Sequence, residues 1–251
     1  MANKITQDSL NHFVDDLRTT HGDNLAAVIL YGSAAMGDEV EQQFGYNVLV
    51  ALQHITPQDL RQAQAPIREW QRLGQPLPVY FTLTELKDAA DVFPIEFYQM
   101  EQARRVLYGI DPFELVVLSD ENLRHQTEYE LRGKLIQLRR SYIPASSSAD
   151  KLSKLMSESL ATFATLFRPV LMLSGVEPPV TKQDAVRATV RLLKLDGQPF
   201  ERILEIRATG HDESSLSEHE ANELFGSYLM QLESVIETVD KMTENLQGAG
   251  A

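Results

Sequence analysis

Cysteine is absent from the 251 residues, which excludes disulfides, thiolate chemistry and cysteine-based metal sites. An excess of positive charge is missing too. Acidic side chains number 36 against 23 basic ones, for a formal charge of −13. A general nucleic-acid binder needs the opposite sign, because phosphate backbones reward Lys and Arg. No apolar run approaches the roughly 20 residues needed to cross a bilayer. The opening Met1-Ala2-Asn3-Lys4-Ile5-Thr6-Gln7-Asp8 lacks the apolar segment of a signal peptide, so a cytoplasmic protein that does not engage membranes is expected. His12, His21, His54 and His219 show no ligand spacing on one helix, and no zinc site is expected. No internal repeat is visible.

What remains is the composition of a globular protein, long enough for one large domain or two ordinary ones. Leu10, Phe13, Val14 and Leu17 recur at helical spacing within residues 8–21. Leu25–Tyr31 then reads as a buried strand, and Gly32-Ser33-Ala34-Ala35-Met36-Gly37 as a tight turn of small residues. Asn47–Leu52 is a second strand, nearly continuous in apolar residues and therefore central. Thr56-Pro57 starts a helix that places Leu60, Ala63, Ile67, Trp70 and Leu73 on one face and stops at Gly74. Leu77–Leu83 is a third strand, and Thr84-Glu85-Leu86 opens a short helix. Val106–Tyr108 and Leu115–Leu118 are short strand candidates around the Asp111-Pro112 turn.

Beyond Ser119 the pattern becomes wholly helical. Helices are expected over 120–142, 150–174, 181–194, 199–208 and 215–246, with a loop over 144–149 and a bend at Arg168-Pro169. The fold class is therefore α+β: a mixed sheet with helices over residues 1–118, then an all-α bundle over 119–251.

The run Val28-Ile29-Leu30-Tyr31-Gly32-Ser33, a loop, and then Gly45-Tyr46-Asn47-Val48-Leu49-Val50 resembles the core motif of the polymerase-β-like nucleotidyltransferases. The layout is that of the antibiotic-modifying members, in which a helical bundle follows the α/β domain and supplies the acceptor site. In that family Gly-Ser contacts the nucleotide phosphates, so Gly32 and Ser33 are the implied nucleotide-binding residues. The second strand opens with Asp-x-Asp (or Asp-x-Glu), which holds the metal ions. Carboxylates at i and i+2 on a strand share a face, which suits magnesium held through one or two carboxylates and substrate phosphates. Here Gly45 and Asn47 occupy those positions. Gly45 offers no ligand, and Asn47 offers one neutral oxygen. A third carboxylate stands in Pro-Val-Glu-(apolar)-Thr in the family, and the matching run is Pro78-Val79-Tyr80-Phe81-Thr82, with Tyr80 in place of the acid.

The resemblance therefore implies a nucleotidyltransferase-like protein without the usual metal carboxylates, impaired in catalysis and retaining nucleotide or partner binding. No metal or other cofactor is expected unless the site is active, in which case magnesium is. The alternative is an active enzyme with rearranged ligands, Asn47 plus an acid of the loop (Asp38, Glu39 or Glu41), with Glu128 as a general base. Glu85, Asp88 and Asp91 read as helix-start charges complementing the dipole. Arg124, Glu128, Arg132 and Arg139 fall near one face of helix 120–142. That face reads first as an exposed salt-bridged surface. If it lines the cleft, Arg132 and Arg139 are phosphate ligands. A third reading is a regulatory or structural module in which the bundle pairs with a second copy or another protein. The stripe Leu224, Phe225, Tyr228, Leu232, Val235, Ile236 and Val239 suits either bundle core or such a face. The nearest likeness to a HEPN-type ribonuclease pair is Arg207 with His211, too short a spacing and broken by Gly210.

Overall fold

A computed structural model describes residues 7–35, 45–209 and 216–247, with backbone alone for Ser33 and 243–247. The chain divides into two compact units, 1–119 and 120–251. The first is built on a sheet. Helix α1 (Gln7–His21) leads into β1 (Leu25–Tyr31), followed by β2 (Asn47–Leu52), α2 (Pro57–Gln62), α3 (Gln64–Arg72) and β3 (Val79–Thr82). Then come α4 (Leu83–Asp88), α5 (Pro94–Gln102) and β4 (Arg104–Gly109). The four strands lie in the order β3-β2-β1-β4. β1 is antiparallel to β2 and β4, whereas β2 and β3 are parallel, so the sheet is mixed.

Both faces are covered, and for that reason β1 and β2 carry apolar residues without alternation. Val28, Leu30, Val48, Val50 and Leu52 face Leu10, Phe13, Leu17 and Trp70 from α1 and α3. The alternate residues Ala27, Ile29, Leu49 and Ala51 face Leu86, Phe97, Met100 and Phe113. β2 is central, as its unbroken apolar run predicts.

Several elements depart from the periodic reading. The helix expected from Thr56 to Leu73 is broken at Ala63. Pro66 has no N–H to donate to Gln62, and its ring clashes with that carbonyl, so a new helix begins. Leu60, read as a buried position, is consequently 46% exposed. The short helix α4 is capped by Thr82, not Thr84: its hydroxyl accepts from the Glu85 amide while Glu85 Oε2 accepts from the Thr82 amide. Leu115–Leu118 is not a strand. Asp111 caps a 3-10 turn over Pro112–Leu115, and the sheet ends at β4, leaving Val117 86% exposed.

The second unit contains α6 (Asp120–Ala145), α7 (Ala149–Leu173), α8 (Lys182–Leu193), α9 (Gln198–Thr209) and α10 (Glu218–Gln247). The loop expected from Pro144 begins later, because a proline in the last turn costs one helical bond rather than a helix. α7 is the central helix and packs against the other four. Its Leu152, Met156, Leu160, Phe163 and Phe167 are buried at helical spacing. Tyr228 of α10 is fully buried, its hydroxyl 3.2 Å from Ser159 Oγ. Tyr142 stacks on Phe225 with ring centroids 4.2 Å apart. The stripe on α10 is thus bundle core. Among the described residues, no helix is long and apolar enough to cross a membrane.

Candidate functional site

The mouth of the β1–β2 pair holds the residues singled out by the sequence. β1 ends at Tyr31, which pairs with Asn47 at the start of β2. Gly32 follows with φ +79°, a conformation that glycine adopts without strain, and turns the chain into a 3-10 segment over Ser33–Ala35. A Cβ on Gly32 would come within 3.5 Å of Asn47 Nδ2, so the Asn47 amide lies against this turn. The Gly32 N–H is already engaged, donating to Ala103 O at 2.8 Å, and its carbonyl accepts from Ala35 N at 2.9 Å. The N–H groups of Gly32 and Ala35 are thus both engaged within the fold. Tyr31 is half-buried, and burial raises its phenol above the usual range.

A side chain at Gly45 would be strained and crowded. The residue's φ is +85°, and a Cβ there would stand 2.8 Å from Pro76 Cδ and 3.1 Å from Gln75 Oε1. The next residue is tied to the same segment, with Tyr46 N donating to Gln75 Oε1 at 2.6 Å. Trp70 Nε1 in turn donates to Pro76 O at 3.1 Å. The backbone that in the resembled family bears the first carboxylate is here fastened against Gln75-Pro76. Sequence reasoning missed these two residues, and the prolines at 76 and 78 were the available signal.

The third-carboxylate correspondence needs correction. β3 pairs with β2 so that Val50 meets Tyr80 and Leu49 meets Val79. Tyr80 packs with the α1 and α3 core, on the face opposite to Asn47, which shares its side with Tyr31, Leu49 and Ala51. The β3 residues on Asn47's side are Val79 and Phe81, both apolar. Tyr80 lies edge-on to His21, ring centroids 5.9 Å apart. Its buried hydroxyl and both His21 ring nitrogens have no hydrogen-bond partner among the described residues. Burial pushes the Tyr80 phenol up to about 12 and lowers the His21 pKa, against a smaller opposing pull from Asp59. Tyr80 is a core residue.

Glu85 is occupied in the α4 cap, Asp88 and Asp91 are exposed, and Asp38, Glu39 and Glu41 lie outside the described residues. Among the described residues no group of three His, Cys, Asp or Glu side chains could hold a metal ion. They do not fit a two-magnesium centre, which needs carboxylates converging on one strand face.

In the helical unit Arg124, Glu128, Arg132 and Arg139 of α6 are held by their neighbours. Arg124 is buried and donates to Glu128 Oε2 at 2.9 Å, while Arg132 Nε donates to Glu128 Oε1 at 2.7 Å. Arg132 also reaches Asp240 at 3.3 Å, and Arg139 reaches Glu233 at 2.6 Å, tying α6 to α10. Burial alone would raise the Glu128 carboxyl, but the hydrogen bonds from Arg132 and Arg124 outweigh it and hold it below the ordinary range. Such a carboxylate is a weak proton acceptor. Arg207 stands in the last turn of α9 and donates to Ser157 O, whereas His211 lies outside the described residues.

The mixed sheet with Gly-Ser at the end of β1, followed by a helical bundle, is a nucleotidyltransferase fold. The chain is similar in structure to spectinomycin adenyltransferase AAD(9) from Enterococcus faecialis, solved with ATP and spectinomycin. The likeness has a TM-score of 0.50 and covers 96% of this chain and 100% of that one, at 15% sequence identity. At that identity it speaks for the fold. No family model matches the sequence, and the search of curated proteins gave no significant match.

Proposed function

We propose that this is a nucleotidyltransferase-fold protein without two-metal catalysis, which binds a nucleotide at the β1–β2 mouth through the turn at Gly32 and Ser33. The observation that carries the reading is Gly45. Its positive φ and the 2.8 Å approach of Pro76 Cδ disfavour a carboxylate at the position of the first metal ligand, while Asn47 supplies no charge in place of the second. Arg132 and Arg139 serve the bundle, since Glu128, Asp240 and Glu233 match their charges. ATP is the nucleotide to test first, being the one present with the structurally similar adenyltransferase. Equilibrium binding of ATP should be unchanged between excess magnesium and excess EDTA, and transfer to aminoglycoside or protein acceptors should be absent. Robust magnesium-dependent turnover that Asn47→Ala abolishes would instead establish the active enzyme with rearranged ligands.

A second reading has its own observation. Tyr129, Ile136 and Ile143 of α6 are 76%, 57% and 74% exposed, and their seven-residue spacing sets them along one stripe of the helix. Such a stripe supports pairing of the helical unit with a second copy. Light scattering at increasing concentration should then show a dimer that Ile136→Glu dissociates. A monomer at all concentrations rules this reading out and leaves the nucleotide reading untouched.

A further inference from the structure

A cavity of about 450 Å³ opens between α7, α8 and α9, a size at which small-molecule sites are commonly found. Its floor is apolar, formed by Leu160 and Ala164 of α7, Val186 of α8 and Leu204 of α9, all buried. Two cations line it: Lys182 from the first turn of α8 and Arg207 from the last turn of α9. Both lean on one turn of α7, Lys182 Nζ at 3.3 Å from Ala161 O and Arg207 Nη1 at 3.4 Å from Ser157 O. Those carbonyls are four residues apart on a single helix, about 6 Å along its axis, so two positive groups from different helices converge.

The present contacts of these cations are poor. Both distances lie beyond the usual range for such bonds. Both carbonyls belong to residues inside the α7 ladder, and Thr165 Oγ1 already donates to Ala161 O at 3.3 Å. Among the described residues no carboxylate stands within ion-pair distance of Lys182 or Arg207. Asp184, the acid at the rim, accepts from the Thr181 hydroxyl at 2.7 Å and lies 3.9 Å from Arg187. An anion between the two cations would gain charge-assisted bonds that the helix carbonyls do not provide.

We propose that this cavity binds an amphiphilic organic anion, its carboxylate or phosphate-monoester head between Lys182 and Arg207 and its hydrocarbon body on Leu160, Ala164, Val186 and Leu204. The inference is independent of the nucleotide reading, since it rests on the bundle alone.

Isothermal titration of the full chain with octanoate, octyl phosphate, octanol and inorganic phosphate tests it. One saturable site for octanoate or octyl phosphate is expected, and the tighter of the two identifies the head group. Octanol and inorganic phosphate should each bind at least about tenfold more weakly, because each lacks half of the complement. Lys182→Met and Arg207→Met keep the stem and remove the charge, and each should weaken binding by about tenfold or more. The Ala164, Val186 and Leu204 methyl resonances should shift on titration. Ala164→Phe should block the site, and if it fails to fold the two Met variants still decide. No saturable binding, octanol as tight as octanoate, inorganic phosphate as tight as octyl phosphate, or both Met variants within twofold of the native chain would overturn the proposal.

Discussion

Gly45→Asp, which puts a carboxylate at the position matching the first metal ligand of the resembled family, should destabilise the N-terminal unit rather than create a metal centre. A non-glycine residue at the observed φ of +85° costs about 1–2 kcal/mol. Forcing a Cβ to within 2.8 Å of Pro76 Cδ adds overpacking strain of about 1–3 kcal/mol, for a total near 2–5 kcal/mol. Gly45→Ala already carries the φ penalty and the Cβ contact, so most of the loss should appear in the alanine variant. Trp70 is the chain's single tryptophan. It is buried, and its Nε1 is bonded to Pro76 O at 3.1 Å, next to the perturbation. Its fluorescence during urea unfolding therefore reports this unit and this segment. Alanine and aspartate variants both within about 0.5 kcal/mol of the native chain, the range of ordinary surface changes, would refute the reasoning. So would magnesium-dependent transfer by the Gly45→Asp, Asn47→Asp double variant.

Other expectations follow from the same geometry. Glu128→Gln leaves Arg124, whose side chain is only 4% exposed, without its carboxylate. It should cost the helical unit about 3 kcal/mol, measured by circular dichroism during denaturation, and a loss of nucleotide binding without loss of stability would point to a role in the site. His21 has a lowered folded pKa because it is buried, so the unfolded chain takes up its proton first. Stability from this group is complete above the ordinary value of 6.5 and is lost as pH falls below it towards the folded pKa. His21→Phe should flatten that part of the profile, and an unchanged slope between pH 7 and 5 contradicts the assignment. Tyr80→Phe removes a hydroxyl with no hydrogen-bond partner among the described residues, and stability should hold or rise. A loss above about 1 kcal/mol would mean that the hydroxyl is satisfied.

The sequence by itself determined the two apolar strands, the Gly-Ser turn between them and the change to helix in the second half. These are local properties: a strand with both faces covered needs an unbroken apolar run, and a packed helix needs a 3.6-residue period. It also determined that Asn47 is neutral and that Gly45 has no side chain. Tertiary structure decided the rest. Whether Tyr80 shares a face with Asn47 depends on how β3 registers against β2, and a one-residue difference in register moves a side chain to the other side of the sheet. Leu115–Leu118 carries strand-forming residues, but the sheet offers them no neighbour. Besides Glu128 on its own helix, Arg132 meets Asp240, and Arg139 meets Glu233, both on α10 about a hundred residues further on. Pro76 and Gln75 close Gly45 from thirty residues away. Gly45, which the sequence shows only as a residue without a side chain, thereby became a position where one would be strained, because its φ is positive and Pro76 Cδ faces it at 2.8 Å.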